Sequence, residues 1–329
     1  MPETSAPTAA RYGYFGPAGT FTEMALRRIP AAAAAEAVPL ATVDAALAAV
    51  RDGSLAAAVV PIENSVEGGV TATLDALATG EPLVIVHEVL VPITFVLAAR
   101  PGTTLADVRR IGSHTHAWAQ CRGWAAVTLP DAVYVPTLST AAAAAGLNSS
   151  VEGEPAYDAG LCAPIAAELH GLEILASDVG DNSSAVTRFV LVARPGALPP
   201  PTGNDKTTLV AYQLDDHPGG LVEMLEQFAV RGVNLSRLES RPTKDALGEY
   251  CFSIDCDGHI AESRVAEALM GLHRTCSRVT FLGSYPRAVP VDAGTAPTKV
   301  AGPASRRGTS EADFAQAAAW VQRLRAGGT

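Results

Sequence analysis

The chain has 329 residues, with 24 lysines and arginines against 34 aspartates and glutamates, a formal net charge of −10. That balance excludes a general nucleic-acid binder, which needs a basic surface to release counterions. An apolar content of 48% supports buried cores for about two or three domains. Apolar runs such as Val84–Val86 are too short to span a bilayer, and the start MPETSAPTAAR lacks the charged-then-apolar order of an export signal, so no membrane partner is expected. The five cysteines are odd in number and scattered without a CxxC pair, as expected of reduced thiols in cytoplasm rather than a disulfide framework or zinc site.

In chain order, YGYFG reads as a strand, Phe21–Arg28 as a helix, AAAVVPI as a strand, and about Gly69 to Leu77 as a helix. The strands LVIVHEVLV and ITFVLAA follow, then RRIGSH feeding a helix across Trp118–Trp124, the strand VYVP, an alanine-rich helix, the segment GLCAPIAAELHG and the strand TRFVLVA. The alanine runs Ala31–Ala35 and Ala141–Ala145 read as helix filler. The alternation predicts an α/β region over 12–194, lobe one being about 12–90 plus 185–194 and lobe two about 91–184. Proline and glycine make 195–205 a linker. From 206 to 287 the order is strand, helix, strand, strand, helix, strand: TTLVAYQL, a helix with Leu221, Met224, Leu225 and Phe228 on one face, VNLSRLESRP, GEYCFSIDCDG, a helix over Ala261–Leu272, and VTFLGSYP. That is the ferredoxin-like βαββαβ arrangement. Residues 288–329 read as a flexible tail with a short helix over Glu311–Arg325, its face formed by Phe314, Ala318, Val321 and Leu324. The first residues read as a disordered leader.

Five segments hold polar side chains at element ends: GYFGPAGTFTEMAL from Gly13, VVPIENSVEGGV from Val59, IGSHTHAWAQC from Ile111, LSTAAAAAGL from Leu138 and DNSSAVTRFVLV from Asp181. In order and spacing they resemble the prephenate dehydratase family, over about Tyr12 to Arg287. Gly219–Gly220–Leu221–Val222 and the ESRP run Glu239–Pro242 resemble the ACT regulatory domain attached to that family. The resemblance implies a two-lobed, periplasmic-binding-protein-like catalytic region followed by the ACT domain. It also implies decarboxylative dehydration of prephenate to phenylpyruvate in phenylalanine biosynthesis, without metal or organic cofactor. L-Phenylalanine is the expected allosteric effector, and the chain is expected to be a homo-oligomer, a dimer or a dimer of dimers. Only about eleven residues precede the first motif, so a monofunctional enzyme is expected. The chain departs from the family at Ala185, where Asn is frequent, at Ser113-His114-Thr115-His116 for Ser-His-Pro-Gln, and at Gly220 for Ala.

The resemblance names Thr187, Glu63, Asn64, Ser113 and Gln120 as the catalytic set. Thr187 is expected at the departing hydroxyl, by hydrogen bonding or proton relay, because a threonine is too weak an acid to ionise unaided. A Glu63 desolvated in a closing cleft is the rival or cooperating acid. Arg188, Phe189, Gly19, Thr20, Ser65 and His114 are the expected substrate contacts. Local readings stay open beside these. Arg188 fits a structural role, since strand neighbours face opposite ways; Asn64 and Ser65 fit caps of the next helix; and Ser113 fits an N-cap with Gln120 half-exposed on the same side. Thr20 and Glu23 have capping-box spacing, with nearby amides open to a carboxylate. Asp181, Asn182, Ser183 and Ser184 make a donor-rich loop, and Ser139 and Thr140 read as caps. The effector set is Gly219, Gly220, Leu221, Val222, Asn234, Glu239, Ser240 and Arg241. Two other functions fit the same motifs, arogenate dehydration and a non-catalytic amino-acid sensor.

Overall fold

The computed structural model describes residues 10–148, 156–215, 217–243, 250–289 and 307–328. The expected leader before residue 10 and residues 290–306 of the expected flexible tail lie outside the described residues. In chain order the first elements are β1 (Arg11–Phe15), α1 (Phe21–Arg27), β2 (Glu36–Leu40), α2 (Val43–Arg51), β3 (Ala57–Asn64), β4 (Gly68–Gly69), α3 (Thr71–Ala78), β5 (Val84–Pro92) and β6 (Val96–Ala99). There follow β7 (Arg110–Ser113), α4 (Thr115–Thr128), β8 (Val133–Pro136), α5 (Thr140–Leu147), β9 (Ala159–Cys162), α6 (Pro164–Leu169), β10 (Glu173–Ala176) and β11 (Val186–Ala193). The chain divides into two compact units, one running to Val70 and resuming over Val89–Phe189, the other formed by Thr71–Glu88 and the residues from Val190 onward.

The fold is mixed α/β, with three sheets among the described residues. One has the order β2-β1-β3-β11-β5, with β4 on β3, and a second the order β10-β6-β9-β7-β8. β1 lies parallel to both β2 and β3, Tyr14 opposite Val59. Parallel strands in such sheets are covered on both faces, which is why Ala57–Val60 is an uninterrupted apolar run with every residue buried. Around the second sheet Phe95, Leu97, Ile111, Cys121, Leu161 and Val179 form one core cluster.

Several expectations required correction. The alanine run at Ala31–Ala35 is no helix: only Pro30–Ala32 makes a 3₁₀ turn, with no side-chain cap at Ile29. The strand β2, the helix α2 and the strand β10 were absent from the sequence reading. β2 contains Pro39 and has no fully buried residue, so it carries no period-2 signal. α2 does carry a signal, the Thr42 side chain accepting from Ala45 N at 3.0 Å. Gly69 opens no helix; it pairs with Glu63 across β3 and β4, and α3 begins at Thr71.

The second unit contains β12 (Asp205–Gln213), α7 (Gly220–Ala229), β13 (Leu235–Pro242), β14 (Tyr250–Asp257), α8 (Ser263–Thr275), β15 (Cys276–Pro286) and α9 (Glu311–Arg325). Its sheet has the order β13-β14-β12-β15, antiparallel throughout. Met224 and Phe228 of α7 and Val265 and Leu272 of α8 pack with Leu209 and Ile254 of the sheet. The sheet also carries buried charge. Arg237 grips Asp255 with two bonds of 3.0 Å, and Thr208 donates to Asp255 Oδ1 at 2.8 Å. In the same unit Lys206 Nζ stands 3.0 Å from Glu88 Oε2 and Arg241 Nη2 3.1 Å from Asp75 Oδ1. α9 spans the expected residues, and Glu311 accepts from Ser263 N at 2.9 Å, supplying the first turn of α8 with an acceptor that its own N-cap, Glu262, does not provide.

Removing one partner of a fully buried ion pair strands the other charge without water. Arg237→Ala is therefore expected to destabilise the second unit by about 3–5 kcal/mol, read as a shift in its urea unfolding midpoint. A shift equivalent to less than about 0.5 kcal/mol, the size of an ordinary surface change, would contradict that account.

Candidate active site

β3 ends in a tight turn whose geometry is fixed by Asn64. The Asn64 Oδ1 accepts from Val66 N at 2.8 Å and from Glu67 N at 3.1 Å. Only the oxygen of an amide can accept two N–H groups, so the orientation of the side chain is determined and its NH₂ must face the other way. It does: Asn64 Nδ2 donates to Thr187 Oγ1 at 2.8 Å. Ser65 ties the same turn to β11, its N–H donating to Val186 O and its Oγ accepting from Val186 N, both at 2.9 Å. Asn64 and Ser65 thus serve a turn and a neighbouring strand, not the start of a helix.

Beside this turn lies a cavity of about 210 Å³. Its lining includes Phe21, Thr22, Pro61, Asn64, Thr187 and Phe189. Ile93, Phe95, His114, His116, Ala117, Gln120 and Thr140 complete it. Phe21 meets Phe95 edge-on with ring centroids 5.7 Å apart. The volume lies below the roughly 300–1,000 Å³ of drug-sized pockets and suits a ligand built on one ring. Strand alternation explains why Thr187 and Phe189 share the cavity while Arg188, between them, does not.

The expected site residues therefore separate. Thr187, Asn64, Gln120, His114 and Phe189 are brought together. Glu63 is not in the lining; its Oε2 stands 3.3 Å from Nε of the buried Arg188, an ion pair consistent with the structural reading of that arginine. Ser113 is no N-cap and is not in this lining: it ends β7, fully buried, with its hydroxyl donating to Leu161 O at 3.3 Å. His114 takes the N-cap position of α4 without a capping side-chain bond, which leaves its ring for the cavity. Thr20 is the N-cap of α1, but the amide of Gly19 is already taken by the Glu23 carboxylate at 2.7 Å, so the expected open anion site is satisfied from within. The loop before β11 is likewise self-satisfied, Asp181 accepting from Gly123 N and Trp124 N and Asn182 from Ser184 N.

Sequence reasoning missed Phe21, Thr22, Phe95 and His116 and left Thr140 as a cap. Thr22 follows two residues after the cap Thr20 and Thr140 follows the cap Ser139, so the available signal was position in a first helical turn. The thiol of Cys121, beside Gln120, is pushed up to about 12 by burial, with the Asp181 carboxylate adding to the shift, and is no nucleophile near neutral pH.

In the second unit, Gly219 adopts φ 98° at the N-cap of α7. Gly220 is buried rather than on the surface; a Cβ there would stand 2.8 Å from Gln213 Nε2. Leu221 is half-buried and Val222 exposed. Asn234 donates to Asp257 Oδ2 at 2.9 Å, Glu239 pairs with Arg237 at 3.4 Å, Ser240 is exposed, and Arg241 holds Asp75.

The sequence model of the prephenate dehydratase family matches residues 12–197. A prephenate dehydratase of Amycolatopsis methanolica is 47% identical over 319 residues, covering 97% of this chain and 99% of its own. A crystal structure of prephenate dehydratase from Arthrobacter aurescens, in complex with L-Phe, is similar at a TM-score of 0.86 and 56% identity, covering 96% of this chain and 99% of that one. A structure described as a novel type of quorum-quenching acylase is similar at a TM-score of 0.75 and 33% identity, covering 84% of this chain and 98% of that one.

Gly19, at φ +87°, lies so close to α6 that a Cβ would meet Ala166 Cα at 3.1 Å, whereas Gly68, at φ +84°, has nothing within 4 Å. Gly68→Ala is expected to show only the backbone term, about 1–3 kcal/mol, and Gly19→Ala a larger loss of thermal stability because backbone must move as well. Equal losses in the two variants would mean that the contact with α6 has no energetic consequence.

Proposed function

The chain belongs to the prephenate dehydratase family, and from that premise we propose how its cavity serves the conversion of prephenate to phenylpyruvate, carbon dioxide and water. The ring hydroxyl departs with a proton as water, the bond to the ring carboxylate breaks to release carbon dioxide, and the electron pair of that bond completes the aromatic ring. The reaction is strongly downhill, so the protein's tasks are to hold two carboxylates, assist the hydroxyl and exclude bulk water.

The observation that carries the reading is the Asn64–Thr187 hydrogen bond. Because Asn64 donates to Thr187 Oγ1, the threonine's own proton is left for a different acceptor, and the cavity is where that acceptor enters. Thr187 then hydrogen-bonds the departing hydroxyl, and the Asn64 amide stabilises the negative charge that grows on Oγ1 as its proton is shared. Gln120 and His114 also face the substrate. Glu63 holds Arg188 and Ser113 shapes the floor of β7, so neither needs to touch the reacting atoms.

Two lobes of the periplasmic-binding-protein kind would close over the substrate by hinge motion, expelling water. The C-terminal unit is proposed to be a ferredoxin-like ACT domain, its strand order β13-β14-β12-β15 supporting that reading. The L-Phe in the Arthrobacter complex supports phenylalanine as the effector here, bound near Gly219–Val222 and the ESRP strand between paired ACT domains of a dimer or dimer of dimers. Since Arg241 already grips Asp75, its part is to anchor the ESRP strand under the effector. The chain would work in cytoplasmic phenylalanine biosynthesis.

Purified protein is expected to form phenylpyruvate from prephenate and to be inhibited by phenylalanine. Thr187→Val should lower kcat by about 10²–10⁴ with little change in KM, while Glu63→Gln keeps kcat within about threefold, as for a group whose hydrogen-bonding partner is retained. Comparable losses in both variants would return Glu63 to the role of acid. Separately, Arg241→Ala should weaken phenylalanine inhibition at unchanged basal turnover; undiminished inhibition would remove the ESRP strand from the regulatory path.

A further inference from the structure

Resting on the prephenate dehydratase reading, one mismatch in the cavity points to a binding residue that the catalytic set leaves out. The proposed substrate carries two carboxylates, yet no lysine or arginine lines the cavity; among the described residues only His114 and His116 in the lining can bear positive charge. The amide of Gly19 is taken by Glu23 and Arg188 pairs with Glu63, so these two expected substrate contacts already have partners.

We propose that His116 is a contact for a substrate carboxylate, and that Glu67 orients its ring for that purpose. His116 Nδ1 stands 3.0 Å from Glu67 Oε1. With Nδ1 donating to Glu67, the ring has Nε2 left, and in the imidazolium form that nitrogen is a second donor. His114 stands beside it, ring centroids 5.2 Å apart and tilted by 32°. The turn that positions Glu67 is the one capped by Asn64, whose Oδ1 accepts the Glu67 amide at 3.1 Å. One turn therefore directs both the hydroxyl of Thr187 and the ring of His116. His116 stands where the Ser-His-Pro-Gln pattern has glutamine, so the substitution adds the chargeable group.

The test is steady-state turnover of prephenate by the full-length chain and its His116→Gln, Glu67→Gln and doubly substituted variants. His116→Gln removes the charge but keeps a hydrogen-bonding side chain at an exposed position. It should raise KM about tenfold or more, the range for losing a charge-assisted hydrogen bond, with kcat within about twofold and an unchanged melting temperature. Glu67→Gln alone should raise KM by a smaller factor, and in the His116→Gln background it should add nothing, which a merely structural Glu67 would not do. An unchanged KM in His116→Gln overturns the contact, as does a fall in kcat at constant KM. A wild-type chain that turns over no prephenate overturns the activity itself, and with it the substrate this contact would hold.

Discussion

The side chain of Asn64 is the constraint on which the cavity depends. Its oxygen closes the turn after β3 by taking two backbone amides, and its nitrogen reaches Thr187 on β11. Neither end can be exchanged for the other, because a carbonyl oxygen cannot donate and an amide nitrogen cannot accept. From that single orientation follow the direction of the Thr187 hydroxyl, the height of the turn and, through the Glu67 amide, the approach to His116. Ser65 repeats the link to β11 through its own N–H and hydroxyl, so the turn is held even where the Asn64 side chain is the active party.

Charge is handled differently in the two units. The cavity is built from hydroxyls, amides, imidazoles and aromatic edges, and the nearby ionic groups are used in pairs away from its lining, Glu63 with Arg188 and Glu23 with Arg27. Such a site offers donors to an anion without competing carboxylates. The second unit buries charges in pairs, Arg237 with Asp255 and Lys206 with Glu88. Fully paired, such groups define one arrangement of strands, since any alternative leaves a charge without a partner.

Much of the architecture was legible because it rests on local physics. Polar residues at strand ends, glycines at loop starts and an alternating apolar pattern locate β1, β3, β7, β11 and the βαββαβ segment, and the family motifs ordered them. The capping residues Thr20 and Ser139 were legible as hydroxyls ahead of helical patterns, and each accepts from the amide three residues on. Of what escaped, two strands had a weak local signal, β2, with Pro39 and no buried residue, and β10, four residues long and half-exposed, while α2 was missed despite its Thr42 cap.

The sequence alone determined which side chains were available and on which elements: Thr187 opening β11, Asn64 ending β3, Gln120 and His114 on the α4 segment. Only the tertiary structure decided which of them share a space. Hydrogen-bonding capacity is a property of a residue, but its use depends on neighbours far away in the chain. Ser113 spends its hydroxyl on Leu161, Gly19 spends its amide on Glu23, and Glu63 pairs with Arg188, while Phe21 and Phe95, unremarkable in sequence, and His116, visible there only as a departure from the family pattern, line the cavity.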